Sequence, residues 1–495
     1  MTTSAYDVVV VGGGGTGLMA AWAAASEGRS VLLLEKGERL GGTTGMSVGT
    51  VTATATRLQR SAGIDDNADD HFEDMAKFAG PLVNRDNLEL RRLLVDNSRE
   101  TVEILTDMGI VFVGPLPEPP HRLPRMHAII PHSRGFIRQL EKACRQKNVE
   151  IRTAAPASSL ILDNGRITGL TLKNGGAITA RRAVILASGD ISSSPLEYKS
   201  RFMSGPLLDI SGINPLSTGD GQRMGEEAGG VMINGDLAWG PEIRFTAPPT
   251  PSIISKLPPW PILARMIRAG MKVLPDAIMR PFLLGFVTTF LAPSQLLFRK
   301  GAMLVNLKGE RFCNELDRPQ DQIGRQDGKK AWIVLGGEVA RQFSAYPNFI
   351  STAPGVGYAY LQEYERTRPD VVKKADTLEA LAAQMGVPLA ALRSSVGEFN
   401  ASRSPDDERS AMNEGPYYAL GPIISWIVFS EGGLKVDTRL RVIHRDGHPI
   451  PGLYAAGSAG QGGVLLEGHG HHLGWAFTSG RLAGRNAALD DSPIG

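Results

Sequence analysis

The chain has 495 residues, enough for two or three domains with substantial cores. Hydrophobic residues make up 42% and charged residues 21%, the balance of an ordinary globular protein. With 53 basic and 51 acidic residues the formal net charge is +2, which leaves no electrostatic footprint for nucleic acid.

The two cysteines, Cys144 and Cys313, are too few for a disulfide framework and point to a reducing, cytoplasmic compartment. The N-terminal MTTSAYDVVVVGGGG enters a strand within a few residues. It has neither a basic leader nor a separate cleavage site, so it is not expected to be a signal peptide. Residues 8–11 (VVVV) form the apolar run of a strand buried on both faces. A tight glycine turn follows, then an alanine-rich helix over 18–25 and a strand over 31–34. This is a βαβ unit, whose crossover makes the two strands parallel. Between 149 and 185 short strands alternate with hairpin turns at Asn164-Gly165 and Asn174-Gly175-Gly176. Residues 182–187 give another buried strand, which runs into Ser188-Gly189-Asp190.

From 237 to 416 the character changes to proline-rich loops, an apolar stretch at 281–293 and a helical segment over 377–401. The apolar stretch PFLLGFVTTFLAP is far below the roughly 20 residues of a spanning helix. It reads as buried core or pocket lining, with lipid contact as the alternative. After Pro416 the strand–turn style returns and ends in a helix from about Leu473. The expected architecture is an α/β, Rossmann-type nucleotide-binding domain (1–236 and 417–495) interrupted by an inserted α+β capping domain (237–416).

Gly12-Gly13-Gly14-Gly15-Thr16-Gly17 fits G-x-G-x-x-G between a strand and a helix. Gly12 permits the tight turn, Gly14 lets backbone approach a pyrophosphate, and Gly17 allows close helix–strand packing. Gly15 and Thr16 open a helix whose N-terminus offers amides and partial positive charge to phosphates. Glu35, followed by Lys36, ends the second strand at the spacing of a carboxylate that binds ribose hydroxyls, and argues against a 2′-phosphate. Gly42, Thr43, Thr44, Ser47 and Gly49 come next. Such small and hydroxylic residues suit a flavin and its ribityl chain, so FAD is expected in preference to NAD. The bland alternative for this stretch is a surface glycine loop.

These motifs, with Val184-Ile185-Leu186-Ala187-Ser188-Gly189, Ser217-Thr218-Gly219-Asp220-Gly221, Asn306 with Gly309-Glu310-Arg311-Phe312, Gly432-Gly433-Leu434-Lys435-Val436-Asp437 and Gly452-Leu453-Tyr454-Ala455-Ala456-Gly457, occur in order along nearly the whole chain. The chain resembles the fumarate reductase/succinate dehydrogenase flavoprotein superfamily, and within it the ketosteroid dehydrogenases. The resemblance implies a bipartite FAD domain with a mobile cap. It places Ala157 beside the adenine, Ala187, Ser188, Gly189, Gly457 and Ser458 among the cofactor contacts, and Thr218 and Asp220 near the flavin and the cap hinge. His472 and Leu473 would open a helix aimed at the flavin's pyrimidine oxygen, where amides stabilise the charge of the reduced ring. No histidine stands beside Thr43-Thr44, so the FAD is expected to be noncovalent.

The chain departs from both branches at the substrate. Where fumarate reductases carry a dicarboxylate-binding histidine and arginine, it has Phe429 and His472. The position of their proton-donating arginine is Pro319, with Arg318 one residue earlier, and the ketosteroid enzymes' tyrosines are missing. A buried carboxylate without its charged clamp costs several kcal/mol. An apolar ketone or enone is therefore the expected small-molecule substrate, with an external electron acceptor or donor. Candidate catalytic groups are His469 and His472 in the loop Glu467-Gly468-His469-Gly470-His471-His472, Arg318, and Tyr418 of the Tyr417-Tyr418 pair. Each has a plainer reading: a cofactor-contacting turn for the histidines, a surface arginine, and strand packing for the tyrosines. The loop's adjacent histidines suit a metal poorly, and none is expected. The reaction these features imply is α,β-desaturation of a ketone or its reverse. A fumarate-like enoate reductase and an electron-transfer flavoprotein subunit are the alternatives.

Overall fold

The computed structural model describes residues 4–249, 256–273, 284, 287–289, 291–353, 357–404 and 407–490. The elements that shape the site are, in chain order, β1 (Ser4–Val11), α1 (Gly15–Ser26), β2 (Val31–Leu34), α2 (Leu88–Asp107), β3 (Glu150–Arg152), β4 (Ala157–Asp163), β5 (Arg166–Leu172) and β6 (Ala177–Leu186). Then come β7 (Glu242–Phe245), α3 (Pro261–Val273), β8 (Met303–Asn306), β9 (Ala331–Leu335), β10 (Val372–Ala375) and β11 (Tyr417–Trp426). The last are β12 (Arg441–Ile443), β13 (Pro449–Ala455) and α4 (His471–Ala488).

The first sheet runs β12-β13-β6-β1-β2-β3. Its centre is parallel: β1 lies between β2 and β6, with Val8 opposite both Val31 and Ala183. Val8, Val9 and Val10 are fully buried, as a strand covered on both faces requires. β4 and β5 continue from β6 as an antiparallel meander. The first meander turn uses Asn164 and Gly165, both at positive φ, the backbone that a two-residue hairpin demands. Helices α1 and α4 cover one face of this sheet and pack closely on each other. A Cβ at Gly484 would lie 2.1 Å from the carbonyl oxygen of Ala20, and one at Gly480 would lie 2.5 Å from that of Thr16.

The second sheet is antiparallel, in the order β7-β11-β9-β8, with β10 also paired to β11. Along β8 the side chains alternate between two cores: Leu304 joins one, Met303 and Val305 the other. The helical segment expected over 377–401 is two helices, Leu378–Met385 and Leu389–Ala401. Gly386 takes the left-handed conformation that ends the first, and Pro388 caps the second. Part of the apolar stretch 281–293 lies outside the described residues. Its members Leu284 and Val287 are buried in the cap's core, in line with the core reading. Among the described residues no helix is long and apolar enough to cross a membrane.

The strand that follows Pro416 does not return to the first sheet. β11 pairs with β7, β9 and β10, so the second sheet extends ten residues past the junction expected there. Alternating residues mark a strand without saying which sheet it joins. The chain passes between the two bodies through a ribbon in which Ala238 and Trp239 pair with Ser430 and Phe429.

Candidate active site

The glycine loop builds a trough of bare backbone. Gly12 has a φ of +115°, and a Cβ there would lie 2.3 Å from the Ala187 carbonyl oxygen, so the turn needs glycine and touches the Ala187-Ser188-Gly189 segment directly. At Gly17 a Cβ would lie 1.9 Å from the Gly12 carbonyl oxygen, which explains the third glycine of the motif. Gly14 and Gly41 bridge as neighbouring strands do, yet both face open space: a Cβ at Gly14 meets nothing nearer than 3.9 Å. Gly14 caps α1 without a side-chain hydrogen bond, and no acidic residue stands in the first turn that Gly15 and Thr16 begin. These are the features of an anion-binding helix start.

The other expected cofactor residues converge on this trough. Glu35 is buried and accepts from the Gly13 and Gly37 amides at 2.7 and 2.6 Å. Ala155, two residues before Ala157, donates its amide to the Glu35 carbonyl, which brings that edge alongside. Thr44 accepts from the Gly15 amide at 3.3 Å, and Thr43 accepts from Asn214 at 3.0 Å, with Gly42 starting their short helix. Ser47 closes that helix by donating to the Thr44 carbonyl, and Gly49, at positive φ, leads into the strand Thr50–Thr52. Lys36 binds Asp220 at 2.6 Å and also Thr218, while the Gly221 amide donates to Ser188. Gly457 packs against Thr16, where its missing Cβ would be 2.3 Å from the hydroxyl, and Ser458 follows it. Segments far apart in sequence thus line one glycine-walled groove of the kind a dinucleotide fills.

Beside the Gly457 loop, whose carbonyl accepts from Trp475, α4 begins at His471, two residues earlier than Leu473, with Gly470 in the left-handed region as its cap. His472 and Leu473 lie in its first turn. His472 Nε2 sits 3.1 Å from Glu431 Oε1, and the other oxygen of Glu431 accepts from Gln461. The Phe429 ring lies against His472, and Trp239 lies 5.3 Å from Phe429. A Cβ at Gly433 would be 2.6 Å from the Ser458 carbonyl oxygen, so the Glu431-Gly432-Gly433 turn is pressed against the cofactor loop. Burial raises the carboxyl of Asp190, which Ser192 and the Ser430 amide cradle. Burial, then the charge of Glu431, raises that of Glu467.

The remaining candidates are dispersed. His469 is more than half exposed and pairs with Glu118 at 2.6 Å; that hydrogen bond holds its imidazolium above the usual range. The Arg318 side chain is 63% exposed and is occupied by Asp321. Tyr418 is buried in the cap's core, where the strand interior places it, and Tyr417 fills the opposite core. Neither Arg318 nor Tyr418 touches the His472 cluster among the described residues; their plainer readings fit the geometry.

His71, His121 and His471 lie together, buried, with ring nitrogens within 4.8 Å of one another, a spacing that a metal could bridge. The nitrogens of His121 and His471 are engaged in hydrogen bonds, while both nitrogens of His71 are without a partner among the described residues. Arg125 donates to His121 Nδ1 at 3.0 Å, which leaves the proton of His121 on Nε2. That Nε2 donates to His471 Nε2 at 3.1 Å, and His471 Nδ1 donates to the Glu467 carbonyl. The chain of bonds fixes the loop that carries His472. Burial pushes His471 down to about 4 and His121 down to about 3.

Glu431, Asp190 and Trp239 were not singled out from sequence, and Glu467 only as a member of the histidine loop. A carboxylate inside the apolar run IISWIVFSEGGL was the available signal for Glu431.

The comparisons with known proteins agree with this construction. The FAD binding domain family matches residues 7–247 and 264–466. A fumarate reductase (cytochrome) of Shewanella frigidimarina is 28% identical over 505 residues, which cover 97% of this chain and 77% of that protein. A 4-oxocyclohexanecarboxylate 2-dehydrogenase of Sinomonas cyclohexanicum is 25% identical, over 98% of this chain and 93% of its own. The open conformation of a flavocytochrome c3 fumarate reductase has the same fold, with a TM-score of 0.72 at 23% identity, covering 99% of this chain and 79% of that one. With a family match over most of its length and a groove built for a dinucleotide, the chain belongs to the FAD-binding flavoproteins of the fumarate reductase superfamily and is an FAD-dependent oxidoreductase.

Proposed function

We propose that this oxidoreductase desaturates an apolar, cyclic ketone at its α and β carbons, or reduces the corresponding enone. The observation that carries the reading is the His472–Glu431 pair set against the rings of Phe429 and Trp239, beside the Gly457-Ser458 loop. FAD, held noncovalently by the glycine trough, Glu35, Thr43, Thr44 and the 457–458 loop, supplies the two-electron acceptor or donor. His472, fixed by its 3.1 Å hydrogen bond with Glu431, polarises the substrate carbonyl. Glu467 takes the α-proton; a carboxylate raised by burial is a stronger base than one in water. The aromatic wall receives the ring of the substrate and excludes water. The second sheet with its helices acts as a lid over this space, and an external partner restores the flavin.

The Sinomonas relative, whose name specifies a cyclic keto acid, supports the ketone class. A second reading, enoate reduction, is favoured by Arg244 on β7. Its guanidinium is paired with Glu242 at 2.5 Å, while its buried Nε has no hydrogen-bond partner among the described residues and is the donor left for a substrate carboxylate.

Anaerobic mixing of oxidised holoenzyme with cyclic ketones should bleach the flavin absorbance, with kcat falling about 100-fold in His472→Ala. If ketones leave the spectrum unchanged while enoates reoxidise the reduced enzyme, and Arg244→Met abolishes that reoxidation, the enoate reading replaces the first.

A further inference from the structure

Outside the flavin site, helix α3 turns large apolar side chains to the outside. Helix α3 buries Ala264 in a crevice lined by Ile110, Ile129, Gln139 and Pro259. The loop before it is tied down where His132 bonds the Leu257 carbonyl at 2.9 Å. The helix is therefore seated on the nucleotide-binding body, although its sequence lies within the insertion. The face left outside is apolar. Ile262 is 72% exposed and Met266 66%, one helical turn apart, and Trp260 just ahead of the helix is 53% exposed. A surface helix ordinarily turns such residues inward. Arg265 is exposed on the same face, and Lys256 is exposed shortly before the helix. From 245 to 275 the sequence contains Lys256, Arg265, Arg268 and Lys272 and not one acidic residue.

We propose that α3 docks the protein on an anionic phospholipid bilayer, lying in the plane of the interface. Ile262 and Met266 enter the acyl boundary, and Trp260 takes the headgroup level where amphipathic rings settle. The stems of Lys256 and Arg265 run along the apolar surface and carry their charges to the phosphates. An apolar stripe alone would fit any greasy partner. The exposed Lys256 and Arg265 beside it select a negatively charged, laterally continuous surface. This docking does not depend on the identity of the substrate.

Flotation of the flavin-loaded protein with vesicles tests the assignment. Wild-type protein should rise with phosphatidylcholine vesicles containing phosphatidylglycerol and largely stay behind with phosphatidylcholine alone. Ile262→Glu with Met266→Glu should abolish flotation. Arg265→Ser should lower partitioning about fivefold and weaken its dependence on salt. All three positions are exposed, and retained flavin absorbance verifies that each variant is folded. No flotation of the wild type, equal flotation on neutral vesicles, or undiminished flotation of the double glutamate variant would each overturn the proposal.

Discussion

Glu35 commits both carboxylate oxygens to backbone amides, those of Gly13 and Gly37, and so holds the phosphate turn and its own strand end in one geometry. Replacing one oxygen by an amide nitrogen sets a donor against a donor. Glu35→Gln should therefore weaken FAD binding by about 1–3 kcal/mol, read as flavin fluorescence released on dilution; an unchanged dissociation constant would refute this role. At the scale of single residues the cofactor side was open to reading in advance. Gly12, Gly14, Gly17 and Glu35 follow from the geometry of a strand–turn–helix, which is local. On the side proposed for substrate, His472 stood out in its histidine loop but its partner Glu431 did not. Glu431 and His472 are 41 positions apart and meet only because the Gly433 turn and the α4 start are both pressed onto the cofactor loop. No spacing rule connects them.

Among the elements, α1 and α4 show how little tolerance the groove has. Their backbones approach at Gly480 and Gly484, and added side chains would strike the carbonyls of Thr16 and Ala20, which cannot give way as a flexible side chain would. Gly484→Val should destabilise the protein by about 1–3 kcal/mol through overpacking. Both melting temperature and bound flavin should fall, because α1 carries the phosphate-facing turn. A variant that melts normally and binds normally would show that the helices can separate without loss. The parallel strands and the α1 region could be read from sequence, since continuous apolar runs and glycine punctuation are local signals. The break at Gly386 and Pro388 was equally local but was overridden by the apolar periodicity on either side. Membership of β11 in the second sheet depends on partners far along the chain, and alternation alone is silent about partners.

For the molecule as a whole, the buried histidines give stability a slope with pH. His71, His121 and His471 are held neutral by burial, all with lowered pKa values. The unfolded chain takes up protons on them near pH 6.5, while the folded one resists. Below about pH 6.5 the unfolded state binds more protons, so stability should fall with acid; above it these groups contribute no slope. Thermal melts across about pH 5 to 8 should show that decline, and His71→Leu, which removes a ring with both nitrogens unpartnered, should make it shallower. An identical slope in the variant would remove His71 from the account.

The ribbon joining the two bodies has a further consequence. Both crossings of the backbone run side by side on one seam, and Trp239 and Phe429 are paired upon it. A door moves least at its hinge pin. Under the proposed function, a lid turning on this seam would leave the two aromatic rings in station while its outer rim travels, so selection by admission would belong to the rim and selection by fit to the pin.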